Sequence, residues 1–86
     1  MIVYRYEMSD GGGPFCTRTG QMRTHPDIYF NGDTLYGCES IEKLNEWFSV
    51  RHIKTDNFIL TKYDGEKLSQ NEREILIKKN TARKIL

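Results

Sequence analysis

The chain has 86 residues, which is enough for one domain over residues 1–86 and too few for two. Charged residues make up 29% of the sequence and aromatic residues 12%, so a small core can form and a disordered chain is excluded. The net charge of +1 is too balanced for nucleic-acid binding driven by counterion release.

The first segment, residues 2–8, alternates between two faces as a β-strand does. The face predicted to be buried carries Ile2, Tyr4, Tyr6 and Met8. The opposite face carries Val3, Arg5 and Glu7. Arg5 and Glu7 would lie close enough on this strand to form an ion pair. Residues 11–14 are three glycines and a proline, which end the strand.

Segment 11–37 contains six of the seven glycines and both prolines, which predicts a long Gly-rich loop region. Within it, Asn31-Gly32 is a type I′ turn signal between two short strands, 28–30 and 33–36. This pattern predicts a hairpin, and a long structured loop is the alternative.

Ser40 predicts the start of a helix over residues 40–48, because its hydroxyl can accept a hydrogen bond from a free backbone N–H in the first turn. Apolar residues then recur at helical spacing and form one stripe. The stripe consists of Ile41, Leu44, Trp47 and Phe48.

Residues 58–63 are predicted to form a strand, and Asp64-Gly65 after them is a hairpin turn signal. The structure of residues 69–80 stays open at this point. Residues 69–72 fit a capping box that would start a helix, whereas the apolar run 75–77 favours a buried strand over 74–78.

Together these elements predict an α+β fold, with a small, mostly antiparallel sheet and one helix packed across it. The predicted core consists of Ile2, Tyr4, Tyr6, Ile41, Leu44, Trp47, Phe48, Phe58, Leu60, Ile75 and Ile77.

The first residues lead directly into a strand pattern without the basic and apolar regions of a signal peptide, so we expect a cytoplasmic protein. No apolar run approaches the ~20 residues that span a membrane. Cys16 and Cys38 are then expected as free thiols. We expect no metal, because Cys16, His25, Cys38 and His52 lack the spacing of zinc ligands.

The Gly-rich region carries the residue types that dominate protein interfaces, namely aromatic and arginine side chains on irregular segments. The candidate binding residues are Phe15, Arg18, Arg23, His25, Tyr29 and Tyr36. Cations beside glycine-exposed amides also suit an anion, so capture of a nucleotide is an alternative to capture of a protein.

Three patches of the chain resemble a group of small proteins from phages and prophages. The patches are Met1-Ile2-Val3-Tyr4-Arg5, Gly13-Pro14-Phe15, and Tyr36-Gly37-Cys38-Glu39-Ser40 with Leu44 and Trp47-Phe48. This resemblance implies a mobile-element origin and a role in the host cytoplasm. The chain would then be a binding or inhibitor protein that captures a host factor, for example a defence protein.

A second resemblance is to the ADP-ribosyltransferases, which place an Arg or His on the first strand and a Glu-x-Glu motif before a late strand. Arg5 matches the first position, and Glu72-Arg73-Glu74 before Ile75 looks like the last. The resemblance implies that Arg5 holds NAD and that Glu74 is catalytic, with Glu72 as the other acid of the pair. An NAD-using enzyme is therefore the alternative to a binding protein.

Overall fold

The computed structural model describes residues 1–9, 11–13, 34–56 and 58–85. The Asn31-Gly32 turn and most of the Gly-rich region lie outside this part of the chain, as do five candidate binding residues, Phe15, Arg18, Arg23, His25 and Tyr29. The described elements, in chain order, are β1 (Ile2–Glu7), β2 (Thr34–Gly37), α1 (Ile41–Val50), β3 (Ile59–Asp64), β4 (Lys67–Gln70), β5 (Ile75–Lys78), a 3-10 turn (Lys79–Thr81) and β6 (Arg83–Lys84).

The strands form two three-stranded antiparallel sheets, ordered β1-β3-β6 and β2-β5-β4. A bridge joins them: Tyr4 N–H donates to the Cys38 carbonyl and Cys38 N–H to the Tyr4 carbonyl, each at 2.8 Å. Gly37 lies beside this bridge, where the two sheets approach each other closely. A Cβ atom at Gly37 would lie 2.9 Å from both the Tyr4 carbonyl oxygen and the Val3 Cβ. The α+β prediction is confirmed, with the strands divided between two small sheets.

Strand β1 is covered on both faces, which the sequence pattern did not indicate. The face that was predicted to be exposed is the more deeply buried of the two. The exposed fractions of Val3, Arg5 and Glu7 are only 0%, 7% and 2%. The second sheet packs on this face, while Tyr4 and Tyr6 on the other face are half-buried against the helix. Alternation reveals which residues share a face, but not whether a second layer covers the polar one.

Among the residues that the structure describes, two apolar clusters form the core, one between the sheets and one beneath the helix. The first contains Val3, Leu35, Ile75 and Ile77, with Tyr63 and Ala82 packed against it. The second contains Cys38, Leu44, Phe48 and Ile53, with Tyr4, Tyr6, Trp47, Phe58 and Leu60 at its margin. The prediction of Ile41 as a core residue is wrong, because this side chain in the first turn of α1 is 38% exposed.

Helix α1 begins as predicted, with the Ser40 hydroxyl accepting a hydrogen bond from Lys43 N–H at 3.1 Å. It continues to Val50, two residues beyond the predicted end at Phe48. A Schellman motif ends it: Ile53 N–H donates to the Phe48 carbonyl at 2.9 Å, and His52 N–H to the Ser49 carbonyl at 3.0 Å. His52 therefore adopts a φ of 57°, in the left-handed region that favours glycine.

The open choice over residues 69–80 is decided in favour of a strand, β5. The Asn71 side-chain oxygen accepts hydrogen bonds from Arg73 N–H at 2.8 Å and Glu74 N–H at 2.7 Å, so this segment forms a turn between β4 and β5. The predicted hairpin turn at Asp64-Gly65 is wrong, because β3 and β4 belong to different sheets. Gly65 instead lets the chain cross between sheets, where a Cβ atom would lie 3.1 Å from Ala82 Cα.

The helix end generates a first prediction. Replacing His52 with glycine should stabilise the domain by about 1 kcal/mol, because relief of left-handed strain outweighs the added flexibility of the unfolded chain. Urea unfolding of the purified variant measures this change. Gly is expected to be better than Ala here, since His52→Ala keeps the strained Cβ; equal stability of the two variants would contradict the argument.

Candidate interaction surface

Of the predicted binding residues, the structure describes Tyr36, which lies on the outer face of the second sheet. It stands directly opposite Leu76 on β5, and Leu76 in turn faces Ser69 on β4. Thr34 and Lys78 form the neighbouring cross-strand pair. We call these five residues the Tyr36 face. Tyr36 is 55% exposed, so a large aromatic side chain is available to solvent beside the partly buried Leu76.

The backbone of Tyr36 is held from inside the protein by Arg5. The Arg5 guanidinium donates through Nη1 to the Tyr36 carbonyl at 3.0 Å and through Nη2 to the Gly11 carbonyl at 3.4 Å. Gly11 and Tyr36 lie near the two ends of segment 11–37, the predicted binding region. One buried side chain therefore contacts both flanks of that region.

Glu7 is the acid that compensates this buried cation. Arg5 Nε lies 2.8 Å from Glu7 Oε2, which also accepts a hydrogen bond from the Tyr63 hydroxyl at 2.8 Å. Lys84 Nζ lies 3.6 Å from Glu7 Oε1. The predicted Arg5–Glu7 pairing is thus confirmed, and the pair joins β1 to β3 and β6. We call Arg5, Glu7, Tyr63 and Lys84 the buried charge network.

Burial changes the acid–base properties of this network. Desolvation lowers the pKa of Arg5, and the nearby Glu7 carboxylate acts in the opposite direction. Arginine nevertheless stays protonated in proteins, so the cation is permanent. Desolvation, followed by the hydrogen bond to Glu7, raises the pKa of Tyr63 to about 12. The phenol therefore keeps its proton at neutral pH and remains a hydrogen-bond donor to Glu7.

The glycines 11–13 fold back on the end of β1. Gly11 N–H donates to the Met8 carbonyl at 2.9 Å, and Met8 N–H donates to the Gly12 carbonyl at 2.8 Å. Gly11 adopts a φ of 86°, which explains a glycine at this position. The sequence suggested that the amides of these glycines could bind an anion. The Gly11 amide, however, already donates a hydrogen bond within the protein. The cations suggested to accompany it, Arg18, Arg23 and His25, lie outside the described residues.

The residues suggested by the ADP-ribosyltransferase resemblance are divided between two places. Arg5 is buried, and its guanidinium contacts Glu7, Gly11 and Tyr36 on the side of the protein where the two sheets meet. Glu72 is exposed and Glu74 half-buried in the turn between β4 and β5. The catalytic assignment of these residues stays a prediction.

Cys38 is a free thiol in the cluster beneath the helix. Its Sγ lies 3.3 Å from the Arg73 carbonyl, and burial raises its pKa to about 11. The thiol is therefore protonated and poorly reactive at neutral pH. Over the described ranges, no three His, Cys, Asp or Glu side chains come together as a metal site requires. None of the helices in those ranges has the length and apolar character needed to cross a bilayer.

Comparison with known proteins gives a match to a protein family. The family model described as Bacteriophage T4 Y00F protein matches residues 1–85. The chain belongs to this family. The predicted resemblance to small phage proteins is therefore confirmed, whereas no comparison supports the resemblance to ADP-ribosyltransferases. No curated protein and no solved structure matches the chain significantly.

The buried charge network generates a second prediction. Arg5→Met should destabilise this phage protein by about 3 kcal/mol, because it leaves the Glu7 carboxylate buried without its main counter-charge. The double variant Arg5→Met/Glu7→Leu should recover most of that loss, because it removes both charges and fills the space with apolar groups. Urea unfolding of both variants measures the difference.

The matched control for this experiment is Lys43→Met, which breaks the exposed ion pair of Lys43 with Glu39. An exposed pair is screened by solvent, so the control should unfold at nearly the wild-type urea concentration. If Arg5→Met were as mild as Lys43→Met, Arg5 would not be a compensated buried charge.

Tyr63 generates a third prediction, on pH dependence. An unfolded tyrosine loses its proton near its ordinary pKa of about 10, whereas folded Tyr63 retains it up to about 12. The stability that this retained proton confers is complete below pH 10 and is lost as the pH rises through 12. Wild-type stability should therefore fall more steeply than that of Tyr63→Phe over this range. Urea unfolding at closely spaced pH values measures the free energy of unfolding of both proteins. The control variant is Tyr36→Phe, in which the substituted tyrosine is exposed.

Proposed function

We propose that this phage protein is a small binding protein that captures a host factor in the cytoplasm of the infected bacterium and inhibits it. A host defence protein is an example of such a target. The partner would be contacted through the surface of segment 11–37, with the candidate residues Phe15, Arg18, Arg23, His25, Tyr29 and Tyr36. The proposal requires neither a cofactor nor a metal.

The observation that carries this proposal is the exposure of Tyr36 on a sheet face. A tyrosine that is 55% exposed beside Leu76 offers a large contact area with few rotatable bonds. Aromatic side chains of this kind are enriched among the residues that dominate binding energy. Because Tyr36 lies on a regular strand with a restrained backbone, its position before and after binding should differ little.

Membership of a phage family supports the setting of the proposal. A phage-encoded protein is made inside a bacterial cell, so the proteins it meets are those of the host and of the phage itself. Binding requires only a surface, which a domain of 86 residues can present on a small core.

Affinity capture from the phage's bacterial host tests the proposal and is our fourth prediction. The tagged chain is expressed in the host, cross-linked and purified, and both proteins and small molecules that accompany it are identified. We expect one host protein to be enriched by the wild type. We expect Tyr36→Ser, and separately Arg18→Glu/Arg23→Glu, to lose it, because each removes side chains from the proposed contact surface.

The matched control is Ile59→Ser, which changes an exposed apolar residue, 61% accessible, on the other sheet. This control should retain the partner, and circular dichroism should show all variants folded. Equal capture by the control, Tyr36→Ser and the double variant would contradict the assignment of the surface. Recovery of a nucleotide in place of a protein would overturn the proposal in favour of nucleotide sequestration.

A further inference from the structure

We propose that Arg5 is a positioning residue for the Tyr36 face: from inside the protein, its guanidinium fixes the backbone that carries Tyr36. This inference rests on the proposed function, because it assigns to Arg5 a role in presenting that surface. Arg5 touches no partner in this scheme and acts only through the carbonyl groups of Gly11 and Tyr36.

Arg5 connects two backbone segments through one rigid group. Nη1 and Nη2 of one guanidinium donate to two carbonyls, at 3.0 Å to Tyr36 and 3.4 Å to Gly11. These residues are far apart in sequence but are held on the same planar group. Two donors on one rigid group restrict the relative positions of the two backbone segments that they bind. The two bonds therefore fix β2 at Tyr36 relative to the glycines that follow β1.

The shape of the guanidinium explains why arginine is required at position 5. A guanidinium is rigid and planar, with five N–H donors in fixed directions, whereas a lysine ammonium is a point charge on a flexible stem. Arg5 uses Nε for the ion pair with Glu7, which leaves Nη1 and Nη2 for the carbonyls. Lysine could retain the ion pair with Glu7 but could not reproduce this three-way arrangement.

The contacts of Glu7 and of the Arg5 backbone hold the Arg5 side chain rigidly in place. Glu7 is 2% exposed and is held by the Tyr63 hydroxyl at 2.8 Å, with Lys84 3.6 Å away. The Thr61 hydroxyl also donates to the Arg5 carbonyl at 2.9 Å. The guanidinium is thus fixed to the first sheet, and the carbonyls it holds are fixed with it. The first sheet serves as the rigid base for the Tyr36 face.

The test compares Arg5→Lys and Arg5→Met/Glu7→Leu with the wild type. The first variant retains a cation beside Glu7, and the second restores an apolar interior, so at least one should remain folded. Carbonyl carbon-13 shifts of Gly11 and Tyr36, measured by NMR on the free protein, report the two hydrogen bonds directly. We expect both shifts to change in each folded variant while the carbonyl shift of Lys43, in α1, stays constant. Unchanged shifts at Gly11 and Tyr36 would overturn the inference without any partner being needed.

The second arm of the test uses the host protein captured by the wild type. A folded variant of near wild-type stability should bind it at least about tenfold more weakly, and this loss separates positioning from a purely structural role. Wild-type affinity in a variant whose carbonyl shifts have moved would overturn the inference and leave the proposed function intact. If the wild type captures no protein, the proposed function fails, and the carbonyl shifts still decide whether Arg5 holds the two flanks.

Discussion

The buried ion pair between Arg5 and Glu7 is the constraint around which the two sheets and the glycine segment meet. It lies on the face of β1 that the second sheet covers, with both side chains less than 10% exposed. Each charge at this depth needs a partner, since an uncompensated one would cost several kcal/mol. The pair meets that need within β1, and Tyr63 and Lys84 extend it to the rest of the first sheet. The spare donors of Arg5 then reach the second sheet and the glycine segment.

A steric constraint at Gly37, where the two sheets approach each other, complements the electrostatic constraint of the buried ion pair. The two sheets approach so closely at Gly37 that a methyl group would meet the Tyr4 carbonyl oxygen and Val3 at 2.9 Å. This approach allows the reciprocal hydrogen bonds between Tyr4 and Cys38, which join β1 to the chain immediately after β2. Arg5 therefore holds the chain at Tyr36, and the hydrogen bonds with Tyr4 hold it two residues later, at Cys38. Such double attachment restricts the orientation in which β2 exposes Tyr36.

Local signals in the sequence predicted local structure well. The Ser40 cap, the helix and the strand at the apolar run 75–77 each depend on near neighbours, and each prediction was confirmed, although Ile41 of the predicted stripe is exposed. The pairing of Arg5 with Glu7 was predictable for the same reason. What the sequence could not reveal was tertiary: that a second sheet buries this pair, and that Asp64-Gly65 connects two sheets and does not close a hairpin. At the candidate surface, Tyr36 was predictable as an interface residue type, whereas its attachment to Arg5 depends on a contact across 31 positions of the chain.

The energetics of buried charge explain why such a network would be retained in so small a core. An apolar pair of similar volume at positions 5 and 7 could stabilise the domain equally well or better. Leucine or methionine, however, has no N–H group to donate to the carbonyls of Gly11 and Tyr36. The advantage of Arg5 over an apolar residue is therefore positional: it holds two backbone segments through hydrogen bonds that an apolar side chain cannot donate. A surface that binds a partner benefits from this fixation, because order present before binding is not lost as entropy during it.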